Sequence, residues 1–177
     1  DWFLALSGAY QQSSVSSPSG WFSASGNGGD IGVALKRQWG PWLFSAAVDA
    51  GWVSYDNTRT IGIAGGQATS NSDVYNVTGR LRASYEFSFA NYYVRPRLDL
   101  DLIHVEMPGF SELGRTGAEL ALQGSSLTTF VATPAVEFGG RMDLPDGVVL
   151  RPYMTLGACF ASNDAWQTTA RFLWAPL

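Results

Sequence analysis

The chain has 177 residues, 46% hydrophobic and 14% aromatic, with a net charge of −4. That length suits one domain, expected over 1–177. The acidic balance lacks the basic footprint of a nucleic-acid binder, so no nucleic-acid partner is expected. The single cysteine, Cys159, excludes a disulfide framework and a cysteine-built zinc site, and no metal or cofactor is expected.

About eight strands are predicted, with no helical period competing. The first two cover roughly 2–12 and 27–38. The third, 42–56, sets Trp42, Phe44, Ala46, Val48, Ala50 and Trp52 against Leu43, Ser45, Ala47, Asp49, Gly51 and Val53, a face of mainly small and polar residues. The fourth, 72–89, alternates Val77, Leu81, Ala83 and Phe87 with Thr78, Arg80, Arg82 and Glu86. Successive strand side chains point to opposite faces, so one face is apolar and the other charged. The fifth, 92–105, puts Leu98, Leu100 and Leu102 opposite Arg95, Arg97, Asp99 and Asp101. The sixth, 127–142, is weaker, with Phe130, Ala132, Val136 and Phe138 against Thr133, Glu137 and Arg141. The seventh, 148–161, alternates Val148, Leu150, Met154, Leu156 and Phe160 with Arg151, Tyr153, Thr155 and Cys159. The eighth covers roughly 166–174.

Connections alternate in length. Gly40-Pro41, Ala90-Asn91 and Leu144-Pro145-Asp146-Gly147 read as tight turns. Ser13–Gly26, Asn57–Asn71 and Met107–Ser126 read as long loops rich in Gly, Ser and Asn. Short turns at one end and long loops at the other are the asymmetry of outer-membrane barrels. No run approaches the ~18 apolar residues of a membrane helix, so a membrane location requires a closed barrel. Asp1 opens no basic-then-apolar leader, so any signal peptide is expected outside this sequence.

The fold class expected is therefore all-β, an antiparallel up-and-down transmembrane barrel. Aromatics near strand ends resemble interfacial girdles: Trp39, Trp42, Trp52, Tyr55, Phe87, Phe89, Tyr92, Tyr93 and Trp166. Leu81, Phe87, Leu98, Leu100, Leu102, Val148, Leu150, Met154 and Leu156 are expected to face lipid. Arg80, Arg82, Glu86, Arg95, Arg97, Asp99, Asp101, Glu137, Arg141 and Arg151 are expected to form a lumen-facing charge network. An Arg aimed at lipid would cost about 2–4 kcal/mol at the midplane. Ten of the eleven basic residues are Arg, with Lys36 the exception, which suits fixed ion pairs. A soluble β-sandwich with one solvated face is the competing reading.

The stretch Asn27–Ala161 resembles the translocator barrel of the autotransporter family. Gly51 to Arg59 is similar to that family's strand end followed by a "ydxxR" loop. Tyr93 to Leu100 resembles its aromatic-"xPxxxL" strand. Phe110-Ser111-Glu112-Leu113-Gly114 and Ala118 to Leu122 resemble its "dgFtEsG" and "galaL" elements, and Leu150-Arg151-Pro152-Tyr153 its "ltPy" opening. The resemblance implies a twelve-stranded barrel in the outer membrane of a Gram-negative bacterium. It implies a pore helix and an exported N-terminal passenger domain (type V secretion). Implied partners are outer-membrane lipid, the chain's own passenger domain and the barrel-assembly machinery. With about eight strands visible and Phe172 to Leu177 unlike the family's final strand, a partial translocator domain is expected. A stand-alone small barrel binding through its loops is the alternative.

Chemistry offers little. There is no G-x-S-x-G elbow, and His104 lies on the face opposite Asp99 and Asp101. A lone His is usually a satisfied structural residue, Cys159 reads as a small buried residue, and no enzyme is expected.

Overall fold

The period-two pattern becomes one continuous ladder. The structure is a computed structural model that describes residues 1–62, 65–145, 147–163 and 165–173. Its strands are β1 (Trp2–Ser16), β2 (Phe22–Trp39), β3 (Trp42–Ile61), β4 (Gly66–Tyr85), β5 (Phe87–Ser88), β6 (Tyr92–Met107) and β7 (Phe110–Ser111). There follow β8 (Leu120–Leu122), β9 (Ser125–Gly140), β10 (Met142–Asp143), β11 (Val149–Leu150), β12 (Tyr153–Gly157), β13 (Phe160–Ala161) and β14 (Ala170–Phe172).

The main sheet has nine strands in the order β1-β2-β3-β4-β6-β9-β12, with β5 on β6 and β13 on β9. Every pairing is antiparallel and follows chain order, as the tight turns require. The β2–β3 turn is Gly40-Pro41, with Gly40 at φ 57°. A positive φ at the first central residue and a proline-fixed negative φ at the second give the II′ arrangement, which matches the strand twist. Phe89 N–H donates to Tyr92 O at 2.8 Å across the Ala90-Asn91 turn. β10 and β11 extend the β9–β12 hairpin in one register, from Asp143 opposite Val149 to Ala132 opposite Phe160. In the third expected turn, Asp146 lies outside the described residues. Among the described residues no ladder joins β1 to β12 or β13, so the sheet is open at both edges.

Three expectations about strands and loops change. Two of the three long loops are largely strand, since β1 and β2 pair up to Ser16 opposite Ser23, and β3 and β4 up to Ile61 opposite Gly66. Gly, Ser and Asn there are poor strand formers alone, but neighbouring rungs fix the register and satisfy each new N–H and C=O. The connection after Met107 remains long and folds into β7 and β8. The expected eighth strand is only β14, which pairs with β8 in a separate three-stranded sheet, β14-β8-β7. Trp174 to Leu177, part of that expected strand and of the C-terminal comparison, lie outside the described residues.

Burial is the inverse of a water-soluble core. Asp99 and Asp101 are each 6% exposed, whereas Leu81 is 58% and Leu156 60% exposed. Large apolar residues cover one face of the sheet, and the other face encloses charge. Two tyrosines depart from the girdle expectation and lie on the charged face. The Tyr55 ring covers Gly26 and the Tyr93 ring covers Gly139. A Cβ at Gly139 would clash with Tyr93 Cε1, so only glycine leaves room for that ring. Cys159 is exposed rather than buried, because it lies at the sheet edge.

Gly139→Leu should therefore lose about 1–3 kcal/mol by overpacking and lower the folded fraction, read as the heat-modifiable band on a gel. Gly79→Ala, whose Cβ meets nothing within 4 Å, should leave that band unchanged.

Candidate functional site

The charged face is assembled by register. The ladder sets Arg80 opposite Asp101 and Arg82 opposite Asp99 on β4 and β6, and Arg95 opposite Glu137 on β6 and β9. Arg82 donates from Nε and Nη2 to the two Asp99 carboxylate oxygens at 2.6 and 2.7 Å, a planar fork that fixes both side chains. Arg80 Nε reaches Asp101 at 2.5 Å. Arg95 bridges Glu86 at 2.5 Å and Glu137 at 2.9 Å. Its guanidinium also lies 4.7 Å from the Tyr93 ring centroid, and the Tyr93 hydroxyl donates to Glu137 at 2.7 Å. Arg97 stands 3.8 Å from Glu137, and its buried Nε has no hydrogen-bond partner.

Eight of the ten expected network residues thus meet: Arg80, Arg82, Glu86, Arg95, Arg97, Asp99, Asp101 and Glu137. Arg141 instead holds Asp143 at 3.0 Å in an exposed pair, and Arg151 makes no salt bridge among the described residues. Both lie beyond Tyr92, where β6 no longer runs alongside the hairpin. Val148 and Leu150 lie at or beyond that same end. Leu81, Phe87, Leu98, Leu100, Leu102, Met154 and Leu156 share the opposite, apolar row. His104 sits on that row too, 2.8 Å from Thr128 Oγ1 and turned from the carboxylates.

The apolar row is bracketed by aromatics. At the turn end Trp39 lies opposite Trp42, and Trp42 opposite Tyr85, with the Trp42 and Tyr85 rings 4.9 Å apart. Phe89 stacks on Tyr92 at 4.4 Å. At the other end one rung carries Tyr10, Gly29, Trp52 and Tyr75. Trp42 and Trp52 are ten residues apart, roughly 33 Å of strand, or about 23 Å of height at a tilt of ~45°. An outward apolar band is ~25 Å tall. Beyond Trp52 the same row turns polar, with Ser54, Asp56 and Thr58 opposite Asp73, Asn71 and Thr69.

Above that level the β7–β8–β14 sheet is tied down by a pair the sequence reading did not assign. Arg59, on β3, donates to both Glu112 oxygens at 2.8 and 2.5 Å, and to Ala118 O at 2.8 Å. Glu112 also accepts from Leu120 N–H at 2.8 Å. Leu113 bridges Thr69 on β4. Each partner stands inside a family-like element, but a contact across 53 residues leaves no local periodicity to find it by.

The profile of the family described as Autotransporter beta-domain matches residues 1–173. The chain belongs to the autotransporter β-domain family. That membership places it in the outer membrane of a Gram-negative bacterium. Its fold resembles the translocator domain of autotransporter NalP from Neisseria meningitidis, with a TM-score of 0.72 at 13% identity over 93% of this chain. It also resembles the β-domain of the Bordetella autotransporter BrkA, with a TM-score of 0.53 at 16% identity over 91% of this chain and 74% of that one. The chain spans 56% of the NalP chain. A search of curated proteins finds no significant match.

The Arg59 hydrogen bonds hold the Glu112 carboxyl below the usual carboxylate range, against the desolvation that opposes them. A lowered folded value means stabilisation that is complete above the ordinary Glu range and lost as pH falls through the lowered value. Amide protection factors across 110–122 of this β-domain, taken relative to intrinsic exchange at each pH, should therefore fall as pH drops through that window. Glu112→Gln should show faster exchange already at neutral pH, with the acid dependence weakened.

Proposed function

We propose that this autotransporter β-domain forms part of an outer-membrane translocator that anchors an N-terminal passenger domain and exports it. The apolar row, with Leu81, Leu98, Leu100, Leu102, Met154 and Leu156, faces lipid between two aromatic girdles. The charged row faces a hydrated lumen, where Arg80, Arg82, Arg95, Asp99, Asp101 and Glu137 lock neighbouring strands and present a polar wall to a passing polypeptide. A single observation supports this most strongly: buried paired charge on one face and exposed apolar side chains on the other, over the height of a membrane. Water would favour the reverse, whereas lipid outside and water within favour this arrangement.

Further strands close the barrel in this reading, because an open edge leaves unpaired backbone groups in lipid. The barrel-assembly machinery inserts it, and the passenger leaves through it or beside it. The barrel acts as a conduit and anchor, not as a catalyst.

In the full-length protein, Leu100→Arg should cost about 2–4 kcal/mol. It should abolish the heat-modifiable membrane form and leave no passenger accessible to protease on intact cells. Asp99→Asn keeps an acceptor for Arg82, so it should still assemble and display the passenger. Equal tolerance of both substitutions would overturn the face assignment.

A further inference from the structure

One cation breaks the segregation of charge. Arg37 lies on β2 in the apolar row, on the rung that carries Trp2, Phe44, Ala83 and Leu98. The other arginines of the main ladder, from Arg59 to Arg97, lie on the charged row, as does Lys36 beside it. Arg37 makes no salt bridge among the described residues. Its guanidinium rests on the Trp2 ring at 4.7 Å from the centroid. It lies two residues from Trp39, so its long side chain is within reach of the turn-end interface, where an Arg is tolerated far better than at the midplane.

A groove opens from it along the apolar face. The small side chains of Ala46 and Ala83 form its floor. Leu35, Phe44, Leu81 and Leu98 rise around them, and the open groove has a volume of about 540 Å³. One end therefore carries a guanidinium stacked on Trp2, two residues inside the Trp39–Trp42 pair and without a salt bridge among the described residues, and the remainder is mostly hydrocarbon. A planar guanidinium forks onto phosphate oxygens, and a groove between leucines takes an alkyl chain.

We propose that Arg37 and this groove form a binding site for one anionic phospholipid of the leaflet at the turn end. The phosphodiester would sit on Arg37 beside Trp2 and Trp39, with an acyl chain over Ala46 and Ala83. The inference rests on the apolar row facing lipid.

The test uses the full-length protein extracted in mild detergent, with phosphatidylglycerol or phosphatidylcholine added at matched concentrations and bound lipid counted by native mass spectrometry. Wild type should keep one phosphatidylglycerol at least about fivefold more than phosphatidylcholine. Arg37→Gln should remove that preference, and Ala83→Trp should lower retention of both lipids by filling the groove. Lys36→Gln, on the charged row of the same strand, should behave as wild type. Equal retention of the two lipids by wild type, which needs no variant to fold, would overturn the site. So would a folded Arg37→Gln protein that keeps the preference. Heat-modifiability of each protein separates these outcomes from failure of the membrane reading. A barrel that assembles without lipid preference sinks only this site, and one in which Leu100→Arg assembles normally sinks both.

Discussion

Everything in this β-domain depends on the register of one antiparallel ladder. A shift by one residue between β4 and β6 would move Arg80 and Arg82 to the apolar row and Leu81 to the charged one. Instead each arginine meets its carboxylate, and each leucine meets another apolar side chain, as Leu81 does with Leu100. The ion pairs and the apolar face thus specify the same register independently. The charges stabilise by excluding alternatives, because misregister would bury unpaired charge or place it in hydrocarbon.

The ladder continues past the apolar band. Between Trp42 and Trp52 that row on β3 and β4 is apolar, and beyond Trp52 the same strands carry Ser, Asp and Thr. Backbone pairing is indifferent to that change, so β3 and β4 rise outward as a stiff polar ribbon. Upon it sits the β7–β8–β14 sheet, held by the forked contact from Arg59 to Glu112. There charge-assisted hydrogen bonds from Arg59 tie the small sheet to β3. The same chemistry recurs on the charged face, which is why arginine so outnumbers lysine in the chain.

Glycine has a second part in this sheet. Tyr93 over Gly139 and Tyr55 over Gly26 place aromatic rings against a neighbouring strand where a Cβ would clash. On the Tyr93 side the covered glycine, the Glu137 carboxylate and the Arg95 guanidinium form one contact set that ties β6 to β9 where the charged row ends.

The sequence by itself determined the alternation, and through it the faces. Period two is local, so Arg82 and Asp99 were legible as members of one charged row, and Leu98 to Leu102 as members of the other. Two-residue turns determined antiparallel order for the same reason. Only the tertiary structure decided where strands end, since a Gly- and Ser-rich segment becomes strand when its neighbour offers partners. It also moved Tyr55 and Tyr93 off the girdle, set Arg141 and Arg151 beyond the shared ladder, and took Ala170–Phe172 out of the main sheet. It alone joined Arg59 to Glu112, because a contact between distant segments depends on how strands stack in space, which no local pattern encodes.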